Sequence, residues 1–296
     1  MALDSTGARA LCAAHALGAD FADAVMIGRQ WFKVDSDILS EVFAALKLDP
    51  IQMTAAGDAA FSEPFFQMLG STAVHSIDFS DFEQATHIHD MNVPIPLDLE
   101  GKYSLVFDGG TLEHVFHAPQ ALLNCMKLLK VGGYFVQVTN GNNFMGHGFW
   151  QFSPELLYRV FSPENGFDCV GVFTQELRQS GHAVRGSSLY LARDPSQLGW
   201  RVELQNKWPT YLVTIAKKVA TVPIFATYPQ QSDYQALWST SKTNTQTLLA
   251  KDKVLRAVRK LFPPNWERLV RHPFKNKAYL KVEIDDFIHG RIRHPS

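Results

Sequence analysis

Cysteine is scarce. Three residues (Cys12, Cys125 and Cys169) in a chain of 296, odd in number and far apart, exclude a disulfide framework or a cysteine-based zinc site as the organising device. Long apolar runs are missing too, none approaching the roughly 20 residues that cross a bilayer. The opening "MALDSTGARALCAAHALGAD" has no basic segment leading into a sustained apolar one, so it does not read as a signal peptide. Neither sign of charge prevails: Lys+Arg 28 against Asp+Glu 29 gives −1, with no footprint for nucleic acid or an anionic membrane. Repeats and low-complexity tracts are also lacking. The expectation is a cytoplasmic globular protein, and 46% hydrophobic residues are enough for a sizeable core. Basic bias is confined to "KDKVLRAVRKLF" and "RLVRHPFKNKAYLKV" near the C-terminus. A solvated helix face is its first explanation. Docking of an anionic substrate handle, or of a second copy in a homodimer, is the other.

Short β-branched runs alternate with helical patterns, the sign of a doubly wound, mostly parallel α/β sheet. Strands are expected at residues 22–28 ("ADAVMIG"), 73–80, 85–92, 103–110 ("YSLVFDGG") and 134–140 ("YFVQVTN"). Two closing strands, "FDCVGVFTQEL" and "TYLVTIAKK", make seven. Helices are expected at 37–48, at 59–70 and between the fourth and fifth strands, where Leu122, Met126 and Leu129 share a stripe and Gly132 and Gly133 end it. "SPELLYRVF" has Ser153 as N-cap and Pro154 at the first helical position. The pattern weakens after Lys218. The expected organisation is a Rossmann-like domain at 1–218 and a C-terminal, helical extension at 219–296.

In such sheets ligands bind beyond the carboxyl ends of the strands, where the order reverses. Four strand ends therefore matter. Gly28 closes the first. Asp78, followed by Phe79, closes the second, where a carboxylate can accept from a vicinal diol or simply cap a turn. "HIHD" and Met91 close the third. His87 and His89 alternate onto one face, but a metal-hydrolase string of this type needs a further histidine where Met91 stands, so no metal is expected. Asp90 suits a base edge, or plain turn chemistry. Asp108, Gly109 and Gly110 close the fourth, the glycines permitting close backbone approach, and Glu113 and His114 follow at once.

The span "LVFDGGTLEHVFHAPQALLNCMKLLKVGGYFV" resembles the class I S-adenosylmethionine-dependent methyltransferases, in which a fourth strand runs into "LEHV", a proline-started helix and a Leu-Lys-x-Gly-Gly turn. Leu112, Glu113, His114, Val115, Pro119, Leu129, Lys130, Gly132 and Gly133 fall at matching places, and the resemblance covers roughly residues 22–218. It implies S-adenosyl-L-methionine as cofactor, with Asp78 and Phe79 at its ribose, Asp90 and Met91 at its adenine, and Asp108, Gly109 and Gly110 beneath it. One feature departs from the pattern. The first strand feeds "IGRQWF" in place of a Gly-x-Gly-x-Gly turn, with Gly28 the sole glycine and about fifty residues before Asp78. With this degenerate first motif and the loop at 140–155 the chain resembles a little-characterised subgroup of the family, and Arg29 or Gln30 is expected to meet the cofactor carboxylate at the first turn.

"NGNNFMGHGFWQFSPE" (140–155) reads as a polar-tipped, aromatic-walled lid over the same cleft, with Asn142, Asn143, Phe149 and Trp150 toward the acceptor. The implied activity is methyl transfer to a small-molecule acceptor, a hydroxyl or amine on a sugar or other metabolite. His147 is the expected base, with His114 and Glu113 nearer the cofactor. The competing expectation is a methyltransferase-like scaffold that has lost its cofactor and serves as an interaction protein. A nicotinamide dehydrogenase is excluded, since that class also needs a glycine-rich first turn.

Overall fold

The computed structural model describes residues 2–48, 60–177, 188–239 and 278–294. The chain opens with β1 (Ala2–Asp4), and the Asp4 carboxylate accepts from the Gly7 N–H at 2.9 Å to cap α1 (Ser5–Ala16). There follow β2 (Asp23–Ile27), β3 (Trp31–Lys33), α2 (Ser36–Leu46), α3 (Glu63–Met68), β4 (Ala73–Asp78), β5 (His87–Ile88) and β6 (Tyr103–Gly109). Next come α4 (Ala118–Leu128), β7 (Leu129–Asn142), α5 (Pro154–Val160), β8 (Phe167–Glu176), β9 (Leu189–Ala192), α6 (Pro195–Leu198) and β10 (Thr210–Lys218). α7 (Ser232–Ser239), β11 (Tyr279–Val282) and α8 (Ile284–Ile288) end it.

The main sheet has the order β11-β9-β8-β10-β7-β6-β2-β4-β5, and β1 and β3 form a small parallel pair. From β5 to β7 the pairing is parallel; β10 inserts antiparallel between β7 and β8. This is the Rossmann-like, doubly wound sheet that the sequence leads one to expect, widened from seven strands to nine. β9 and β11 extend the β8 edge antiparallel, too short and too far apart in sequence to announce themselves. The chain first travels outward from β2 through β4 to β5, then returns to lay β6 on the other side of β2. The order therefore reverses between β2 and β6.

Strand alternation divides the core into two layers. Ala24, Met26, Leu105, Phe107, Val136 and Val138 face one side with α1 and α2; Val25, Ile27, Val106 and Phe135 face the other with α4 and α5. Fully buried strands of this kind have no polar face, which is why they read as continuous apolar runs. α4 ends at Leu128, a turn before the glycines expected to stop it. Leu129 is already paired with Tyr103, and Gly132, at φ +88°, lies where the β6–β7 register shifts. The double glycine thus serves strand entry, and a Cβ on Gly133 would stand 2.9 Å from the Lys130 carbonyl oxygen.

The third strand shrinks to two residues, because the Asp90 carboxylate turns the chain by accepting from Asn92 N at 2.9 Å and from its Nδ2 at 2.7 Å. Of the segment 219–296, residues 240–277 and 295–296 lie outside the described residues. Within the rest, β11 joins the sheet and Phe287 of α8 packs edge-on against Phe173 at 4.9 Å, beneath α1. Cys12 Sγ donates to the Ile288 carbonyl at 3.5 Å.

Candidate active site

A cavity of about 600 Å³ opens beyond the tips of β6 and β7, beside the point where the sheet order reverses. Gly109, Gly110, Glu113, His114 and His147 line it, together with Asp4, Trp31, Lys33, Asn140 and Tyr211. β6 ends in Asp108, which is fully buried and acts as the keystone of the turn. Its Oδ1 accepts from Thr111 N at 2.9 Å and from Leu112 N at 3.3 Å, and its Oδ2 accepts from Gln137 Nε2 at 2.8 Å. The backbone is thereby bent into a short 3-10 turn, Leu112–His114, that turns the Glu113 side chain inward and leaves His114 exposed. Glu113 is 2% exposed, and its Oε2 accepts from the Thr139 hydroxyl at 2.8 Å.

His147 reaches the same wall from the loop after β7. The two imidazole centroids stand 5.1 Å apart. The Glu113 carbonyl oxygen seats that loop by accepting from Phe149 N at 2.8 Å and from Trp150 N at 3.2 Å. Gly148, at φ +74°, fits over it so closely that a Cβ would lie 2.7 Å from that oxygen. Gly148→Ala should therefore cost about 1–3 kcal/mol through the left-handed backbone alone. It should also lift the 144–150 loop, read as a lowered melting temperature together with faster proteolysis in that loop.

The electrostatics follow from burial. Desolvation, reinforced by the Asp108 carboxyl behind it, pushes Glu113 up to about 8, so its carboxyl keeps a proton at neutral pH. Asp108 rises to about 6 for the same first reason, opposed by the hydrogen bonds from Gln137 and Thr111. Burial, then the neighbouring His147, hold His114 below the usual imidazole range. Its neutral form thus prevails at neutral pH, able to accept a proton or bind a cation.

The remaining residues singled out from sequence sit outside this cavity. Arg29 pairs with Glu63 at 2.7 Å, donates to the Glu83 carbonyl at 2.8 Å and lies 3.9 Å over the Phe61 ring. Gln30 is fully buried in the turn after β2. Its Nε2 donates to the Ile27 carbonyl at 2.8 Å, and its Oε1 would touch a Cβ on Gly109 at 2.7 Å. Gly109 thus makes room for Gln30, and the carboxamide occupies space that a glycine-rich turn would leave open. Gly28 takes φ +70° and donates to the Ile77 carbonyl at 2.7 Å. Asp78 is half-buried at the β4 tip, and among the described residues its carboxylate accepts only from its own Phe79 N, at 2.7 Å. Phe79 is exposed, Met91 buried, and Asp90 spent on Asn92.

In the stretch expected to form a lid, Asn142 and Asn143 are pinned through their Nδ2 groups to Asn206 Oδ1 at 2.7 and 2.9 Å. Asn142 faces a second, smaller cavity. Phe149 meets Phe116 edge-on at 5.8 Å, and Trp150 Nε1 donates to the Val115 carbonyl at 3.0 Å. In the "HIHD" string, His87 shares the Tyr103 hydroxyl at 3.0 Å, and His89 Nε2 lies 3.2 Å from the Val93 carbonyl.

Sequence reasoning missed Asp4 and Tyr211 on the cavity wall. The first belongs to a three-residue strand and the second reads as sheet core. Trp31 and Lys33 had a signal, since they lie in the stretch that replaces the glycine-rich turn.

No protein-family model matches the chain, and no curated protein matches it. Solved structures do. One is 1,6-didemethyltoxoflavin-N1-methyltransferase from Burkholderia thailandensis, holding 1,6-didemethyltoxoflavin and S-adenosylhomocysteine. It is 14% identical over 73% of this chain and 78% of its own, with a TM-score of 0.38. A SAM-dependent methyltransferase from Aquifex aeolicus is 12% identical over 66% and 82%, with a TM-score of 0.32. TehB from Haemophilus influenzae is 12% identical over 62% and 66%, with a TM-score of 0.35. These are likenesses in the course of the chain, and the fold stands on the strand order and register given above.

Proposed function

We propose that the protein is an S-adenosylmethionine-dependent methyltransferase acting on a small-molecule hydroxyl or amine. The observation that carries the reading is the position of the cavity. It lies beyond the carboxyl ends of β6 and β7, next to the reversal between β2 and β6, and holds a carboxyl and two imidazoles within reach of one acceptor. The residues fit the nucleoside end of the cofactor. Asp78 has carboxylate capacity left for a ribose diol, and the exposed Phe79 ring beside it offers an apolar face. Toward the amino-acid end, Gln30 Oε1 is a buried acceptor without a partner among the described residues, and a ligand N–H would satisfy it once the side chain turns outward.

When bound, the sulfonium supplies an electrophilic methyl group, transferred by in-line displacement. The chain contributes alignment, exclusion of water by the 144–150 loop, and an imidazole for the acceptor proton. His147 is favoured for that proton because it reaches the cavity from the lid, with His114 as the nearer neighbour of Glu113. This reading takes the protein as cytoplasmic, with a metabolite as partner rather than a nucleic acid or a membrane. It assigns the transferase domain to 1–218 and an extension to 219–296, whose basic stretches a homodimer would use.

A second reading, a cofactor-free scaffold, is favoured by the filled first turn and by the three contacts that occupy Arg29. Calorimetric titration with S-adenosylmethionine and S-adenosylhomocysteine, run with a chelator present, separates the two. We expect binding that Asp78→Ala weakens at least about tenfold, the scale of a lost charge-assisted pair. No heat at millimolar ligand would leave the scaffold.

A further inference from the structure

We infer that Glu113, His114 and His147 form a binding site for one divalent transition-metal cation of the zinc, cobalt or manganese kind. Among the described residues these three each offer one ligand atom, and the atoms all lie within 4.8 Å of one another. Two imidazole nitrogens and one carboxylate oxygen are the donor set such ions take, and three protein ligands leave coordination positions open. Here the open side is a cavity of about 600 Å³, and all three residues line it.

The spacing is close to what an ion would impose. Bonds of about 2.0–2.2 Å place tetrahedral ligands roughly 3.3 Å apart, so the atoms must close by about 1.5 Å. His114 and His147 are exposed, so their side chains have room to rotate toward Glu113.

The surroundings act as a supporting shell. The Thr139 hydroxyl holds Glu113 Oε2 at 2.8 Å, orienting the carboxylate as an outer partner does in metal sites. The His147 backbone is fixed by its own N–H to the Phe144 carbonyl at 3.0 Å and by Asn140 Nδ2 to its carbonyl at 3.3 Å. The ionisable carboxyls of the lining are Asp4 and Glu113, against Lys33 as its one cationic side chain. With Glu113 protonated in the free protein the lining is close to neutral, and a cation entering it would displace that proton to bind.

Binding of the cation does not depend on the methyl-transfer reading. Only its use does. In the loaded protein the imidazoles would be ligands, and ionisation of an acceptor oxygen would pass from His147 to the ion, the acceptor's proton leaving to solvent.

The test uses the full chain, stripped with a chelator and without S-adenosylmethionine, titrated with Zn²⁺, Co²⁺ and Mn²⁺. We expect one ion per chain and a Co²⁺ absorption spectrum of nitrogen–oxygen coordination. Glu113→Gln and His147→Ala should each weaken binding at least about tenfold while circular dichroism shows the fold retained. Should a variant misfold, mapping which histidines of the wild-type protein Zn²⁺ shields from diethylpyrocarbonate decides the matter: shielding of His114 and His147 supports the site, and shielding of other histidines overturns it. No binding by the wild-type chain, or binding unchanged in a folded double variant His114→Ala/His147→Ala, would overturn the site and assign any heat to other histidines. Failure here leaves the S-adenosylmethionine titration untouched, because that titration is run with chelator present.

Discussion

Asp108→Ala is expected to lower the free energy of unfolding by about 3–5 kcal/mol, the scale of a buried group removed from its partners. Alanine would leave three buried donors, Thr111 N, Leu112 N and Gln137 Nε2, facing a void where two carboxylate oxygens stood. Asp108→Asn should behave differently. Its Oδ1 keeps both backbone bonds, and its new Nδ2 faces Gln137. The Gln137 Oε1 is buried and unpaired among the described residues, so a flip of that carboxamide turns a donor–donor clash into a hydrogen bond. The asparagine variant should therefore lie within about 1 kcal/mol of the parent, the worth of one neutral hydrogen bond. Chemical denaturation of the three proteins at neutral pH reads the difference. Equal losses in both variants would show that the turn is held by something other than these bonds.

Glu113→Gln should flatten the pH dependence of stability in the chelator-stripped protein. The glutamate lies at about 8 in the folded chain, raised by burial and then by Asp108, against an ordinary 4.5. The sign follows directly. Between those values the folded chain holds a proton that the unfolded chain has released, so the glutamate's contribution is complete below about 4.5. It is lost steadily as pH rises through about 8. Asp108, raised from 3.8 to about 6, adds the same sign over a lower window. Glutamine keeps an oxygen for the Thr139 hydroxyl but has no proton to lose. Above pH 8 the variant should therefore exceed the parent by on the order of a few kcal/mol, and the gap should shrink toward pH 5. Melting temperatures collected from pH 5 to 9 measure this. Parallel curves would mean that Glu113 is ionised throughout.

The sheet was legible because its strands are buried on both faces and alternate with helices, a signal carried by each segment alone. Val25–Ile27 and Leu105–Phe107 need no knowledge of their neighbours to read as strands. What could not be read depends on distant partners. α1 is rich in small residues (Ala, Ser, Gly and Cys) with Leu11 its one large apolar side chain, and shows no strong stripe, yet it is buried along most of its length because α2 and α8 close over it. Arg29 looks available in "IGRQWF" until Glu63, thirty-four positions on, takes its charge. At the site, Glu113, His114 and His147 were accessible from the strand-end rule and from the polar tip of the lid. The role of Asp108 was not, because a carboxylate at a strand end reads equally as a ligand or a keystone until the donors around it are counted.

The contact between Cys12 and Ile288 spans 276 positions, and Gly290 comes to rest against Ala16 and Leu17. The first and last described helices are thereby stitched together. A chain emerging from the ribosome completes β2 through β10 while α1 still lacks the cover that residues 284–288 provide, so α1 is made before these strands but sealed only after them. Removing the C-terminal strand and helix would uncover the aromatic face at Phe173 and the inner flank of α1 together. Such a shortened protein should be sticky rather than merely smaller.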